Sequence, residues 1–141
     1  MFNADRAVAE GRVHTVAVDF DGTLCEGKFP DIGAPKPLVI EYVKAIAERG
    51  ARIILHTCRE DGANRPLLTE AVRFCETHGI PIYAVNENPE AVAHFSELYG
   101  TGPPRKLYAD EYLDDKAVNT ADIEAYMARE RDIKKSGFRR P

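Results

Sequence analysis

Four short apolar runs alternate with stretches of helical period along this chain, and that alternation leaves few folds open. Residues 13–18 (Val-His-Thr-Val-Ala-Val) are β-branched and apolar on both faces, as a buried parallel strand requires. Residues 52–56 and 81–85 repeat the pattern, and residues 107–113 read as a fourth strand ending at Asp114-Asp115. Between them, Pro37 opens a helix in which Val39, Tyr42, Val43 and Ile46 fall at i, i+3, i+4 and i+7, and Gly50 ends it. Leu68, Ala71, Val72 and Cys75 stripe the next helix before Gly79. Asn88-Pro89 caps another, with Val92, Phe95 and Tyr99 as its buried face, and Thr120 caps a last one carrying Ile123, Tyr126 and Met127. Strands and helices at this spacing predict an α/β fold: right-handed βαβ units around a parallel sheet covered on both faces.

The chain's 141 residues suit a single domain over 1–141, with its core over about 13–128 and a basic tail over about 129–141. That tail carries Arg129, Arg131, Lys134, Lys135, Arg139 and Arg140, and it reads as a solvated or frayed end. A formal charge of -4 provides no chain-wide basic field for nucleic acid or an anionic membrane. No apolar run approaches the roughly 20 residues of a membrane span, and residues 1–12 are charged, so a cytoplasmic protein is expected. Cys25, Cys58 and Cys75 form no CxxC pair and leave an odd count, which fits structural thiols in a reduced compartment.

Three of the four strands end in chemically capable residues: Asp19 and Asp21, Thr57 and Arg59, Asp114 and Asp115. In a parallel sheet, ligands bind beyond the carboxyl ends of the strands, where the strand order reverses. Asp19 and Asp21 flank Phe20, so an extended backbone turns both carboxylates to one side, and Gly22 permits the turn that exposes them. Paired carboxylates repel and are tolerated when a divalent cation neutralises them. Hard oxygen ligands from Asp19, Asp114 and a backbone carbonyl suit Mg²⁺. Taken alone, the pair also suits an Asx turn, and Arg59 suits a surface salt bridge with Glu60 or Asp61. His56 lies in an apolar strand and reads as a core histidine; His14, His78 and His94 show no metal spacing.

The nonapeptide Val16-Ala-Val-Asp-Phe-Asp-Gly-Thr-Leu24 resembles the first motif of the haloacid dehalogenase superfamily of aspartate-nucleophile phosphatases. Ile54-Leu-His-Thr-Cys-Arg59 resembles its second motif, and Asp114-Asp115 its fourth in the double-aspartate form. The resemblance runs from Val13 to about Lys116 in the superfamily's order. It implies a three-layer α/β/α sandwich with a parallel, Rossmann-like sheet in the order third, second, first, fourth strand. It also implies a Mg²⁺-dependent phosphomonoester hydrolase acting on a phosphorylated small molecule. Asp19 is then the nucleophile, Asp21 the general acid and base, and Thr57 a hydrogen-bond donor to the phosphoryl group. Asp19, Asp21 through its backbone carbonyl, Asp114 and Asp115 are the metal-site residues, and Arg59 is placed to grip the phosphate with its planar fork.

The family's third motif is a lysine or arginine after the third strand, where this chain reads Asn86-Glu-Asn-Pro-Glu90. Lys106 is the other candidate, but a fourth strand extended over 107–113 would separate it from Asp114 by about 26 Å. It can serve only if residues 103–108 loop back over the carboxyl edge. Asp110 reads as an exposed early-strand residue, leaving Asp115 as the second carboxylate. Neither gap between strands holds a cap domain; residues 25–36 suffice for a small flap. Water exclusion and substrate choice then fall to loops, to a partner subunit in a homo-oligomer, or to the substrate. The rival readings are a degenerate phosphate- or partner-binding domain, which the missing lysine suggests, and a nucleic-acid-end phosphatase, which the net charge opposes.

Overall fold

The computed structural model describes residues 2–137. Its elements follow in the order α1 (Asn3–Ala9), β1 (Thr15–Val18), α2 (Pro37–Glu48), β2 (Arg52–Leu55), α3 (Leu67–Thr77), β3 (Ala84–Val85), α4 (Pro89–Tyr99), β4 (Glu111–Leu113) and α5 (Thr120–Ser136). The sheet is parallel throughout, in the order β3-β2-β1-β4. This is the α/β, Rossmann-like architecture that the alternation predicts. The connections between strands hold no inserted cap domain. Among the described residues, no helix is long and apolar enough to cross a membrane.

Strand alternation divides the core in two. Val16, Val18, Ile53 and Leu55 face α1, α2 and α3, meeting Ala4, Ile40, Val43, Ile46, Ala71, Phe74 and Cys75. Ala17 and Ile54 face the other way, onto Leu107, Ala109 and Ala84. That second layer is thin, because a bent segment, not a long helical face, supplies its buried side chains.

Several elements differ from the sequence reading. The seven-residue α1 was not foreseen; it buries Ala4 and Ala7. Ile40 replaces Tyr42 on the buried stripe of α2, and Phe74 joins that of α3. The third strand shortens to two residues and the fourth starts at Glu111. Asn119, not Thr120, caps α5, accepting from the Ala121 N–H. The basic stretch does not fray at Arg129: helix α5 continues to Ser136, while Arg139 and Arg140 lie outside the described residues. Neither α4 nor α5 buries a residue, so Tyr99, Ile123, Tyr126 and Met127 stay exposed. Their apolar period is real, but among the described residues no facing surface buries it.

Burial therefore predicts very different costs for two truncations. Ile53→Ala should lower the unfolding free energy by about 3 kcal/mol through cavity formation in the sheet. Tyr126→Ala should stay within about 0.5 kcal/mol of wild type. Urea denaturation measures both, and comparable losses would mean that α5 packs on the core.

Candidate functional site

Strand register brings the site together. Val18, Leu55, Val85 and Leu113 align across the sheet. Hydrogen bonds carry the ladder one residue further: the Asp19 N–H donates to Leu113 O (2.9 Å), His56 N–H to Val18 O (2.8 Å) and Asn86 N–H to Leu55 O (2.8 Å). Asp19, His56, Asn86 and Asp114 thus form one rim at the carboxyl edge. Asp19 and Asp114 end β1 and β4, neighbours on either side of the point where strand order reverses.

On the β1/β4 side, Asp19, Asp114 and Asp115 each offer an oxygen, and the three atoms lie within 4.8 Å of one another. The Thr23 hydroxyl stands between two of these carboxylates, 3.0 Å from Asp19 Oδ2 and 3.3 Å from Asp115 Oδ1, and accepts from the Asp115 N–H. Gly22 lets this happen. Its φ is +86°, and a Cβ there would sit 2.4 Å from Asp115 Oδ2. Burial pushes the Asp19 carboxyl up to about 6, the Asp114 charge adds to the rise, and the Thr23 hydrogen bond opposes it.

Arg59 departs from its expected role. Its side chain has no solvent exposure; Nε and Nη2 each lie 2.8 Å from an oxygen of Asp21, and Nη2 also donates to Asp31 O (3.1 Å). The rings of Phe20 and Phe29 lie 5.2 Å from the guanidinium carbon. This guanidinium is held above its usual range, chiefly by the Asp21 hydrogen bonds. The fork is spent inside the protein, on Asp21 and the Asp31 carbonyl. Nor does it pair with Glu60 or Asp61. With its carboxylate turned to Arg59, Asp21 stands outside the acidic cluster.

Thr57 is buried at the end of β2. Its hydroxyl oxygen accepts from the Arg59 N–H (3.1 Å), and its own N–H donates to Asn86 Oδ1 (2.8 Å). Asn86, with φ +53°, is the non-glycine residue of positive φ among those described. Sequence reasoning missed Asn86, Thr23 and Lys36, whose Nζ donates to Gly22 O at 2.7 Å. Thr23 lies inside the first motif; Asn86 is marked only by ending an apolar run.

Lys106 is exposed, with its ammonium 5.2 Å from the Tyr112 ring centroid. The strand reading that carried it far from the site fails, because the chain bends at Asp110 and β4 starts only at Glu111. The Tyr112 hydroxyl donates to Leu107 O and accepts from the Ala109 N–H, folding the segment back over β4. Lys106 and Asn86 line one small cavity of about 200 Å³. Among the described residues, no ion pair of 4.0 Å or less joins a lysine or arginine to Asp19, Asp114 or Asp115. Asp110 lies at the opposite edge, accepting from the Thr15 N–H. His56 is exposed rather than in the core, because it stands one residue past β2; Cys58 is exposed as well. The flap over residues 25–36 closes through the Glu26 N–H to Ala34 O (2.8 Å) and is tied down by Arg59 and Arg65 at Asp31.

A solved structure, the conserved protein coded by a locus from Bacteroides thetaiotaomicron, is similar to this chain with 35% identity and a TM-score of 0.60. The likeness covers 85% of this chain and 93% of that one. The chain belongs to that protein's family. No protein-family model and no curated protein matches it.

The acidic cluster predicts a cost to the metal-free fold. The folded state holds the Asp19 proton more tightly than the unfolded chain, where the group titrates near 3.8. Its contribution to stability is therefore present below that pH and lost as pH rises through about 6. Asp19→Asn should raise metal-free stability at neutral pH by about 1 kcal/mol, after allowance for solvent screening of a half-exposed group. Denaturant titration in chelator checks this; an Asn variant less stable than wild type would contradict it.

Proposed function

We propose that this protein is a capless, Mg²⁺-dependent phosphomonoester hydrolase of the haloacid dehalogenase type, with Asp19 as nucleophile. The observation that carries the reading is the convergence of three carboxylates at the switch point of the sheet, with, on the adjoining strand end, a buried threonine whose hydroxyl hydrogen has no acceptor among the described residues. Nucleophile, proton carrier and the hydrogen-bond donor to the phosphoryl group come from the ends of β1 and β2, and the remaining carboxylates from the end of β4.

The donor set fits the metal. Three carboxylate oxygens within 4.8 Å, with the Asp19 carboxyl pushed up to about 6, mark concentrated negative charge made of hard oxygen ligands. Asp19, Asp114, Asp115 and the backbone carbonyl of Asp21 would hold Mg²⁺, which when bound offsets the repulsion between carboxylate and phosphoryl group. Asp19 attacks phosphorus, a bond forms to its oxygen, and the ester P–O bond breaks. Asp21 is assigned the proton transfers, to the leaving oxygen and later from the water that hydrolyses the aspartyl-phosphate. Both its oxygens accept from Arg59, so one must release the guanidinium and take up a proton before it can act as the acid. Arg59 acts on Asp21 as a positioning residue, holding the carboxylate in one orientation. The Thr57 hydroxyl donates to a phosphoryl oxygen.

A second reading, a phosphate-binding domain without turnover, draws support from the lack of a basic side chain paired with the cluster. A panel of phosphomonoesters with and without Mg²⁺ separates the two. Hydrolysis should require the metal and fall at least about 10³-fold in Asp19→Asn; undiminished turnover in that variant would end the covalent mechanism. Asp114→Ala should weaken Mg²⁺ binding by titration calorimetry far more than Asp110→Ala, whose carboxylate lies at the far edge of the sheet.

A further inference from the structure

We infer that Asn86 is a phosphate-binding residue of this site: its side-chain amide and the Thr57 hydroxyl form a neutral donor pair for phosphoryl oxygens. This deepens the proposed function and rests on its placing of the phosphoryl group at the carboxyl edge.

The amide's orientation is fixed by chemistry. A backbone N–H is received only by an acceptor, so the 2.8 Å contact from the Thr57 N–H identifies the facing atom as Oδ1. Nδ2 is then the other end, and among the described residues its two hydrogens meet no acceptor. The Thr57 hydroxyl is in the same condition, since its oxygen accepts from the Arg59 N–H and its hydrogen goes to no protein atom. Two donors, each oriented by a backbone N–H, are left unspent side by side at the rim.

The backbone at Asn86 supports the same reading. At φ +53° glycine would be the unstrained choice, and asparagine is among the few side chains that tolerate it. The chain keeps an amide at a position where its conformation does not require one. Three basic side chains named above have other contacts, although Lys106 lines the same small cavity as Asn86. Arg59 is buried on Asp21, Lys36 is bonded to Gly22 O, and the Lys106 ammonium lies over Tyr112. Across the rim, Asp19 and Asp114 are acidic, so a bound anion meets carboxylates on one side and these neutral donors on the other.

A purely structural Asn86 would serve only as the acceptor for Thr57, and two variants separate the roles. Asn86→Asp keeps that acceptor and tolerates positive φ, but loses the donor hydrogens. Asn86→Gly removes the donor without adding charge and relieves the backbone. Inorganic phosphate, added to full-length protein with Mg²⁺, is the probe. Its dissociation constant should rise about tenfold in Asn86→Gly, the effect of losing one hydrogen bond to a charged group, and further in Asn86→Asp. Both variants should melt within a few degrees of wild type. The side-chain NH₂ resonances of Asn86 in ¹⁵N-labelled protein, assigned by their loss in Asn86→Asp, should shift as phosphate is added. Phosphate binding within twofold of wild type in Asn86→Gly, unmoved NH₂ resonances, or no phosphate binding by wild type would each overturn the inference. Phosphate held through Asn86 without turnover of any phosphoester would leave the inference standing and remove the hydrolase reading. Mg²⁺-dependent turnover undiminished in both variants would do the reverse.

Discussion

Arg59 is a cation without solvent access, and a charge in that position is tolerated only when its donors are met. Asp21 meets Nε and Nη2, the Asp31 carbonyl takes a further bond from Nη2, and two aromatic faces cover the guanidinium. Glu70 of α3 adds a carboxylate 3.9 Å from Nη1. One residue thereby joins the turn after β1, the flap and α3. Asp21 is held because Arg59 has nowhere else to place its charge, and the flap is held because its Asp31 carbonyl completes the shell. Breaking such a pair by removing one partner commonly costs about 3–5 kcal/mol, since the other is left buried and unpaired.

The acidic cluster has the opposite character. Asp19, Asp114 and Asp115 crowd together with a threonine hydroxyl between two of them and, among the described residues, no basic side chain paired to them. Gly22, which leaves room for Asp115, gives up a side chain to allow the approach. Where a fold accepts a local cost of this kind, the residues involved are candidates for function. The two halves differ in kind: one is neutralised and holds Asp21 and Thr57 through hydrogen bonds, and the other keeps its carboxylates close together.

Much of this was legible beforehand, for identifiable reasons. A parallel strand buried on both faces must be continuously apolar, so residues 13–18 and 52–56 announce themselves, and their polar ends mark the edge where chemistry collects. Asp19, Thr57 and Asp114 follow from that rule. Asn86 obeys it equally, yet a two-residue strand and a common neutral side chain carry too little signal. Tyr126 and Met127 misled in the other direction. Helical period shows that one face of α5 is apolar, and says nothing about whether another surface of the chain lies against it.

By itself, then, the sequence determined the α/β alternation and which residues stand at the strand ends, because both depend on local periodicity and chain order. Tertiary structure alone decided how those residues are spent. Arg59 could serve a ligand or a neighbour, and its partners Asp21 and Asp31 are 38 and 28 residues away in the chain. Lys106 looked remote while residues 107–113 read as one strand; the bend that Tyr112 stabilises returns it to the Asn86 side. A side chain's role is set by which donors and acceptors remain free after folding. That depends on contacts between distant segments, which no local pattern records.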